Sequence, residues 1–166
     1  FVEGITFREM RARLNAQTDL IHSTQALSDQ AIMARLGVAD RKPEGWFFPD
    51  TYRFDKRSED IDVLARALAA MQKQLDTVWQ GRETGLPLKT PYELLILASI
   101  VEKETGAPAD RPQIAGVFIN RLRQGMRLQT DPTVIYGLGA RFDGNLRKGD
   151  LQRDTPYNTY TRVGLP

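Results

Sequence analysis

Cysteine is absent from the 166 residues, and histidine occurs once, at His22. Without cysteine the chain can form no disulfide, no thiolate metal site and no cysteine nucleophile. A single histidine argues against a Ser-His-Asp triad and against a multi-histidine metal site, so we expect no metal and no cofactor. No hydrophobic run approaches the roughly 18 residues that a membrane span needs. Any chemistry must therefore come from carboxylates, hydroxyls, amides and arginines.

The charge balance is close to neutral and the composition is ordinary. Lys and Arg total 23 and Asp and Glu total 21, which leaves a formal net charge of +2. Apolar residues make up 41% and charged residues 27%, as in soluble globular proteins. A nucleic-acid-binding domain would concentrate its basic residues on one face. The chain begins at Phe1, and its first segment carries charges where a signal peptide would be apolar, so we expect a fragment of a longer protein.

Helix caps and apolar spacings predict a mostly helical fold. Thr6 and Glu9 form a capping-box pattern, and Thr90 and Glu93 form another with a proline between them. The segments 41–54 and 127–130 read as extended. The fold class expected is α+β, predominantly helical, with a central buried helix and small β elements. The predicted helices run from Thr6 to about Asn15, Ser28 to Gly37, Ser58 to Gly81, Pro91 to about Thr105, Asp110 to Gly125, and Asp131 to Gly137 or Gly139.

Glu102 is the candidate catalytic residue. It follows the apolar run Leu94–Val101 and lies on the same side of the helix as Leu95 and Ala98, because successive residues turn by about 100°. Glu104 lies about 200° further round, so the two carboxylates should not serve one site. Apolar surroundings would raise the pKa of the Glu102 carboxyl toward the range of a general acid. The simpler interpretation is a solvated charge at a helix end.

Four blocks of sequence resemble one family, the endolytic murein transglycosylases, also described as YceG-like or MltG. The blocks occur in the family's order and span most of the chain from Glu44 onward. They are Leu97–Thr105 (LASIVEKET), Glu44–Tyr52 (EGWFFPDTY), Val117–Leu122 (VFINRL) with Gly125–Gly137 (GMRLQTDPTVIYG), and Tyr157–Tyr160 (YNTY) with Gly164–Pro166.

The resemblance implies a domain organisation and a cellular setting. Residues 1–43 would be a helical segment that follows a missing LysM-like module, and residues 44–166 would be the catalytic domain, truncated at its C-terminus. The family cleaves the β-1,4 bond between N-acetylmuramic acid and N-acetylglucosamine in peptidoglycan strands and leaves 1,6-anhydro ends. Its members are anchored to the bacterial inner membrane by an N-terminal helix and act on the periplasmic or outer side. The implied partners are glycan strands and a peptidoglycan synthase (a penicillin-binding protein), with no nucleic acid.

The same resemblance suggests the substrate-binding residues. Gln129, Tyr136, Asn158 and Tyr160 match family positions and carry uncharged groups that could bond to sugars. Each tyrosine could equally be a packed residue with a satisfied hydroxyl. Arg121 could pair with a carboxylate or extend its charge to solvent from the helix end. The remaining candidate is Asp131, which could bind substrate, cap a helix, or act as the second carboxylate of a hydrolase.

Two other classes of function stay open at this point. One is a binding module that holds glycan or a synthase without turnover. The other is a nucleic-acid binder, since residues 111–130 contain four arginines and no acidic residue. A positive field there would suit an anionic glycan as well as a nucleic acid, so it does not discriminate between them. The block around Trp46 is interpreted as structural because prolines and aromatics are dense there.

Overall fold

The structure, a computed structural model, describes residues 1–166 and is mostly helical, as the sequence predicts. The expected small β elements are not confirmed: the chain forms no β-strand, and Ile21 and Glu59 make one isolated parallel bridge. Short 3₁₀ turns occur at Pro108–Asp110 and Gly139–Arg141. No helix combines the length and the apolar character needed to cross a membrane. The α-helices are α1 (Phe7–Asn15), α2 (Asp29–Arg35), α3 (Asp60–Gln80), α4 (Pro91–Glu104), α5 (Arg111–Arg123), α6 (Asp131–Leu138) and α7 (Lys148–Gln152).

The chain divides into two compact units, Phe1–Gly81 and Arg82–Pro166. The division predicted from the sequence fell after residue 43. The predicted boundary separates functional domains, whereas the two compact units are defined by packing. The packing therefore does not test the predicted boundary, which stays a prediction. Every candidate site residue, from Glu102 to Tyr160, belongs to the second unit.

The hydrophobic core of the first unit is formed by residues of α1, α2 and α3 together with Leu20 and Phe47. Thr6 and Glu9 form both hydrogen bonds of the capping box that starts α1. The segment 41–54 forms no helix and contributes Phe47, whose ring stacks on Phe7 at 4.9 Å. Arg41 lies 4.3 Å above the Trp46 ring. The aromatic block therefore packs within this unit, as the structural interpretation expects.

Helix α3 begins later than predicted, whereas Gly81 closes it as the sequence predicts. It begins at Asp60, two residues after Ser58, and the fully buried Asp60 carboxylate accepts hydrogen bonds from Ser23 and Thr24. At the other end Val78 is 44% exposed, although its spacing placed it on the apolar stripe. The other five residues of that stripe are buried, namely Ile61, Leu64, Leu68, Met71 and Leu75.

The second unit places α4 against α5 and α6. The expectation that α4 is buried on all sides is wrong: only Leu97, Ile100 and Val101 are buried, whereas Ala98 and Ser99 are exposed. Two neighbouring helices cover one side of α4 and leave the side of Ala98 open. The burial predicted from the apolar composition of α4 was too high, because composition does not show how many helices pack around α4.

Helix α5 and the C-terminal region also depart from expectation. Phe118 is the buried residue of α5, whereas Val117 is 50% exposed. Asp110 holds the N-cap position of α5 but makes no side-chain cap hydrogen bond. Helix α7 was not predicted, because its five residues are mostly polar and give no apolar period.

Candidate active site

Glu102 lies in the last turn of α4 and pairs with Arg111 at the start of α5. The distance from Arg111 Nη2 to Glu102 Oε2 is 2.9 Å. The short connection between the two helices, 105–110, returns the chain so that the end of α4 meets the beginning of α5. The side chains of Glu102 and Arg111 are 30% and 41% exposed, so the carboxylate is accessible from one side.

The surroundings of Glu102 correct the expectation of an apolar environment. The Arg111 guanidinium lies within hydrogen-bonding distance of the carboxylate, and the Glu102 side chain is partly exposed and so keeps some of its hydration. The Nε of Arg111 is buried and has no hydrogen-bond partner. Glu102 is thus an oriented carboxylate with a charged partner, and its role as the acid stays a prediction.

Glu104 belongs to a second set of contacts, as the helical geometry predicts. Its Oε2 accepts a 2.7 Å hydrogen bond from the hydroxyl of Thr130. Thr130 is buried, and its backbone N–H donates to Thr159 Oγ1 at 3.1 Å. Thr133 Oγ1 lies 2.9 Å from the same Thr159 hydroxyl. We call Thr130, Thr133 and Thr159 the threonine cluster; it joins the end of α4, the start of α6 and the loop before Tyr160.

Asp131 is the first residue of α6, and the N-cap position belongs to Thr130. The interpretation of Asp131 as the N-cap is therefore wrong by one residue. Its exposed carboxylate accepts a 2.5 Å hydrogen bond from the Tyr160 hydroxyl. This partner is non-local, because Tyr160 is 29 residues away along the chain.

Tyr160 keeps its proton over a wide range of pH. Burial of the ring raises the pKa of Tyr160 to about 12, and the hydrogen bond to Asp131 adds to the effect. The negative charge of Glu104 acts in the same direction, and the positive charge of Arg121 opposes it. The pKa of Tyr160 therefore depends on two carboxylates: that of Asp131, and that of Glu104, which accepts a hydrogen bond from Thr130 of the threonine cluster.

Asn158 has a structural role in the fold. It is 1% exposed, and its Nδ2 donates to the backbone carbonyls of Asp150, Leu151 and Arg153 at 3.2, 3.0 and 2.7 Å. Its Oδ1 accepts from the Tyr160 backbone N–H at 2.8 Å. The amide thus has no donor free for a sugar, which does not support the substrate-binding interpretation. Asn158 instead fixes the loop that positions Tyr160.

Gln129 and Tyr136 lie at the surface, where a substrate could reach them. Gln129 is exposed and has φ of 52°, a left-handed backbone conformation that is uncommon outside glycine. Its backbone N–H donates to the Thr159 carbonyl at 3.1 Å. Tyr136 is 42% exposed, and its ring packs edge-on against Tyr157 at 5.0 Å. Both remain candidate substrate contacts.

Arg121 and its neighbours do not form one basic patch. Arg121 donates to the Leu128 carbonyl and is half-buried, so it neither pairs with a carboxylate nor extends fully into solvent. Arg111 is held by Glu102, and Arg123 donates to the Gly85 carbonyl at 3.2 Å. Three of the four arginines between 111 and 130 are thus engaged with the protein itself.

Sequence reasoning missed the partner of Glu102. An arginine at the first position of the helix that follows α4 was the available signal, since a short connection places the end of one helix beside the start of the next. The threonine cluster gave no such signal, because Thr159 contacts Thr130 and Thr133 across 29 and 26 residues. No group of three or more His, Asp or Glu side chains is arranged to hold a metal ion.

The fold and the site define a mostly helical protein with carboxylates at the end of one helix, each oriented by a residue from another segment. Comparison with known sequences gives the family: the chain belongs to the YceG-like family, whose model matches residues 1–166.

Two curated relatives carry the name endolytic murein transglycosylase. The protein from Bacillus subtilis is 40% identical over 74% of this chain, and that from Streptococcus pneumoniae serotype 2 is 33% identical over 99%. The aligned regions are 33% and 31% of those proteins, so the chain spans about a third of their length. The crystal structure of a YceG-like protein from Listeria monocytogenes is also similar, with a TM-score of 0.69 and 28% identity, over 99% of this chain and 59% of that one.

Proposed function

We propose that the chain is the glycan-cleaving part of an endolytic lytic transglycosylase, with Glu102 as acid and then base. The observation that carries the proposal is Glu102 itself: a partly exposed carboxylate in the last turn of α4, held 2.9 Å from Arg111. The names of the two relatives support the reaction class. The proposed substrate is the β-1,4 bond between N-acetylmuramic acid and N-acetylglucosamine.

The reaction needs one titratable carboxyl. Protonated Glu102 gives its proton to the glycosidic oxygen as the bond from that oxygen to C1 of the muramic acid breaks. The C6 hydroxyl of the same sugar then attacks C1, and its proton passes to Glu102. The new C1–O6 bond closes the 1,6-anhydro ring, and the enzyme is restored. A hydrolase would need a second carboxylate to activate water or to attack the sugar, and Asp131 is the candidate for that alternative.

Replacement of Glu102 tests the proposal. Purified peptidoglycan is digested with the longest natural form of the protein, and the products are identified by mass spectrometry. The wild type should release anhydro-muropeptides, and Glu102→Gln should reduce the rate by about 10²-fold or more, since general acid–base assistance is worth about 10²- to 10⁴-fold. Glu83→Gln is the matched control, because Glu83 is exposed in the same unit, outside the site.

Each other outcome contradicts a defined part of the proposal. Equal activity of Glu102→Gln and wild type would exclude Glu102 as the acid, and loss of activity in Glu104→Gln alone would move the role to Glu104. Reducing ends in place of anhydro ends would mean hydrolysis and would bring Asp131 into the mechanism. Saturable glycan binding without any cleavage by the wild type would indicate the non-catalytic binding module.

The cellular setting is part of the proposal and rests on the family resemblance. We infer that the protein acts on the periplasmic or outer side of the bacterial inner membrane, held by an anchor that is not among these residues. A peptidoglycan synthase is the proposed partner, beside which the enzyme would end growing strands. A pull-down tests that partner, with the longest natural form of the protein as bait. Recovery of a penicillin-binding protein with this bait, and not with an unrelated membrane-anchored protein, would support the proposal.

A further inference from the structure

The pair formed by Glu102 and Arg111 distinguishes the two oxygens of the carboxyl group. Arg111 Nη2 lies 2.9 Å from Oε2. A guanidinium can only donate hydrogen bonds, so a proton on Oε2 would face a donor and would be disfavoured. A proton on Oε1 meets no such conflict.

We propose that Arg111 is a positioning residue that acts through Glu102: it engages Oε2, directs the reacting proton to Oε1, and stabilises the carboxylate that exists between the two proton transfers. This inference rests on the proposed function. When Glu102 has given up its proton, it carries a full negative charge, and a hydrogen bond from a charged donor is stronger than one from a neutral donor. The interaction therefore strengthens as the glycosidic bond breaks, which is the condition for raising kcat.

The position of Arg111 in the fold suits this role. Arg111 begins α5 and follows the 3₁₀ turn Pro108–Asp110, so its backbone is fixed by regular structure on both sides. Its Nε is buried without a partner, so the guanidinium is partly withdrawn from water on the side that does not meet Glu102. A charge that has lost part of its hydration interacts more strongly with the carboxylate opposite it.

Three variants test the role of Arg111 in peptidoglycan cleavage. Arg111→Met removes the charge and the donors while keeping an extended apolar stem, and Arg111→Lys keeps the charge on a compact ammonium group that lacks the planar fork of the guanidinium. The matched control is Arg147→Met, which breaks an exposed ion pair with Asp143 in the same unit. Initial rates over a range of substrate concentrations give kcat and KM separately for each variant, and circular dichroism checks that each variant is folded.

The expected result is a loss in kcat with little change in KM. Arg111→Met should lower kcat at least tenfold with KM within about twofold of wild type, because an interaction that strengthens in the transition state changes kcat. Arg111→Lys should recover a substantial part of that loss, and Arg147→Met should match the wild type. If Arg111 had a purely structural role, the measured kcat would instead fall in proportion to the fraction of the protein that is folded.

Several outcomes would overturn the inference. One is a kcat of Arg111→Met within twofold of the wild-type value. Another is a rise in KM with no change in kcat, which would mean that Arg111 binds the glycan. A third is an equal loss of kcat in Arg111→Met and Arg111→Lys. An equal loss in Arg147→Met would also overturn it. These results differ from a failure of the proposed function, in which the wild type itself would release no anhydro product.

Discussion

At the scale of single residues, the hydrogen bond from Tyr160 to Asp131 is the contact with the clearest signature in solution. Burial is the largest cause that raises the pKa of Tyr160 to about 12, and the bond to Asp131 is the next. The proton is therefore held more strongly in the folded than in the unfolded chain, where the pKa is near 10. The stability contributed by this phenol is complete below pH 10 and is lost as the pH rises from about 10 to 12.

Asp131→Asn should lower the pKa of Tyr160 without returning it to 10. An amide removes the negative charge that opposes ionisation, but the burial of the ring remains. Absorbance at a tyrosinate wavelength, followed from neutral to alkaline pH, measures the shift. Tyr160→Phe identifies which component of the curve belongs to Tyr160, since the pKa of Tyr52 is also raised, chiefly by burial. An unchanged curve in Asp131→Asn would mean that the pair does not form in solution.

The sequence singled out candidate polar residues, but it did not predict which partners they contact. Glu102 was singled out as a candidate because it follows an apolar run and lies in a motif, but its contact with Arg111 was not predicted. The role of Asn158 was not predicted either, since the carbonyls that it binds are brought to it by the path of the loop and not by a local pattern. The same holds for Asp131, whose partner is Tyr160 and not its own helix. Polar residues whose partners are distant in sequence are ambiguous between ligand binding and structure.

At the scale of secondary-structure elements, the threonine cluster joins the end of α4 to the start of α6. Thr130→Val keeps the shape of the side chain and removes the hydroxyl that donates to Glu104. We expect the free energy of unfolding to fall by about 1–2 kcal/mol, because a hydrogen bond to a charged group contributes more than one to a neutral group. The loss should not be larger, because Glu104 is exposed and water can replace the lost hydrogen bond. Urea unfolding measures the change.

Thr77→Val is the matched control for this element. Thr77 is exposed on α3, and its hydroxyl bonds to the Lys73 carbonyl of the same helix. Its replacement should change the free energy of unfolding by about 0.5 kcal/mol or less, as is usual for surface positions. Equal effects of the two substitutions would show that the threonine cluster does not secure the elements that it joins.

Helix starts were more predictable than helix environments. The caps of α1, α2 and α4 depend on atoms within three residues of the cap, and Thr6, Ser28 and Thr90 each accept the expected hydrogen bond. The exposed side of α4 depends on which other helices cover it, and the sequence of α4 carries no such information. Local hydrogen bonds can therefore be inferred from spacing, whereas burial needs the whole fold.

At the scale of the whole molecule, the first unit holds none of the candidate groups and the second holds all of them. Leu64 in the first unit and Leu128 in the second are both fully buried. The Leu128 carbonyl accepts a hydrogen bond from Arg121, and the next residue is Gln129 with its left-handed backbone. A cavity at Leu128 would thus disturb residues of the site, whereas Leu64 belongs to the unit that holds none of them.

Leu64→Ala and Leu128→Ala should therefore separate stability from activity. Each should lower the free energy of unfolding by about 2–5 kcal/mol, which is the usual cost of truncating a buried leucine. Only Leu128→Ala should lower the kcat of the protein that remains folded, because the backbone around Gln129 is free to relax into the cavity. Activity normalised to the folded fraction, with both variants measured well below their melting temperatures, makes the comparison. A normalised kcat that falls equally in Leu64→Ala would mean that catalysis depends on the packing of the first unit as much as on the second.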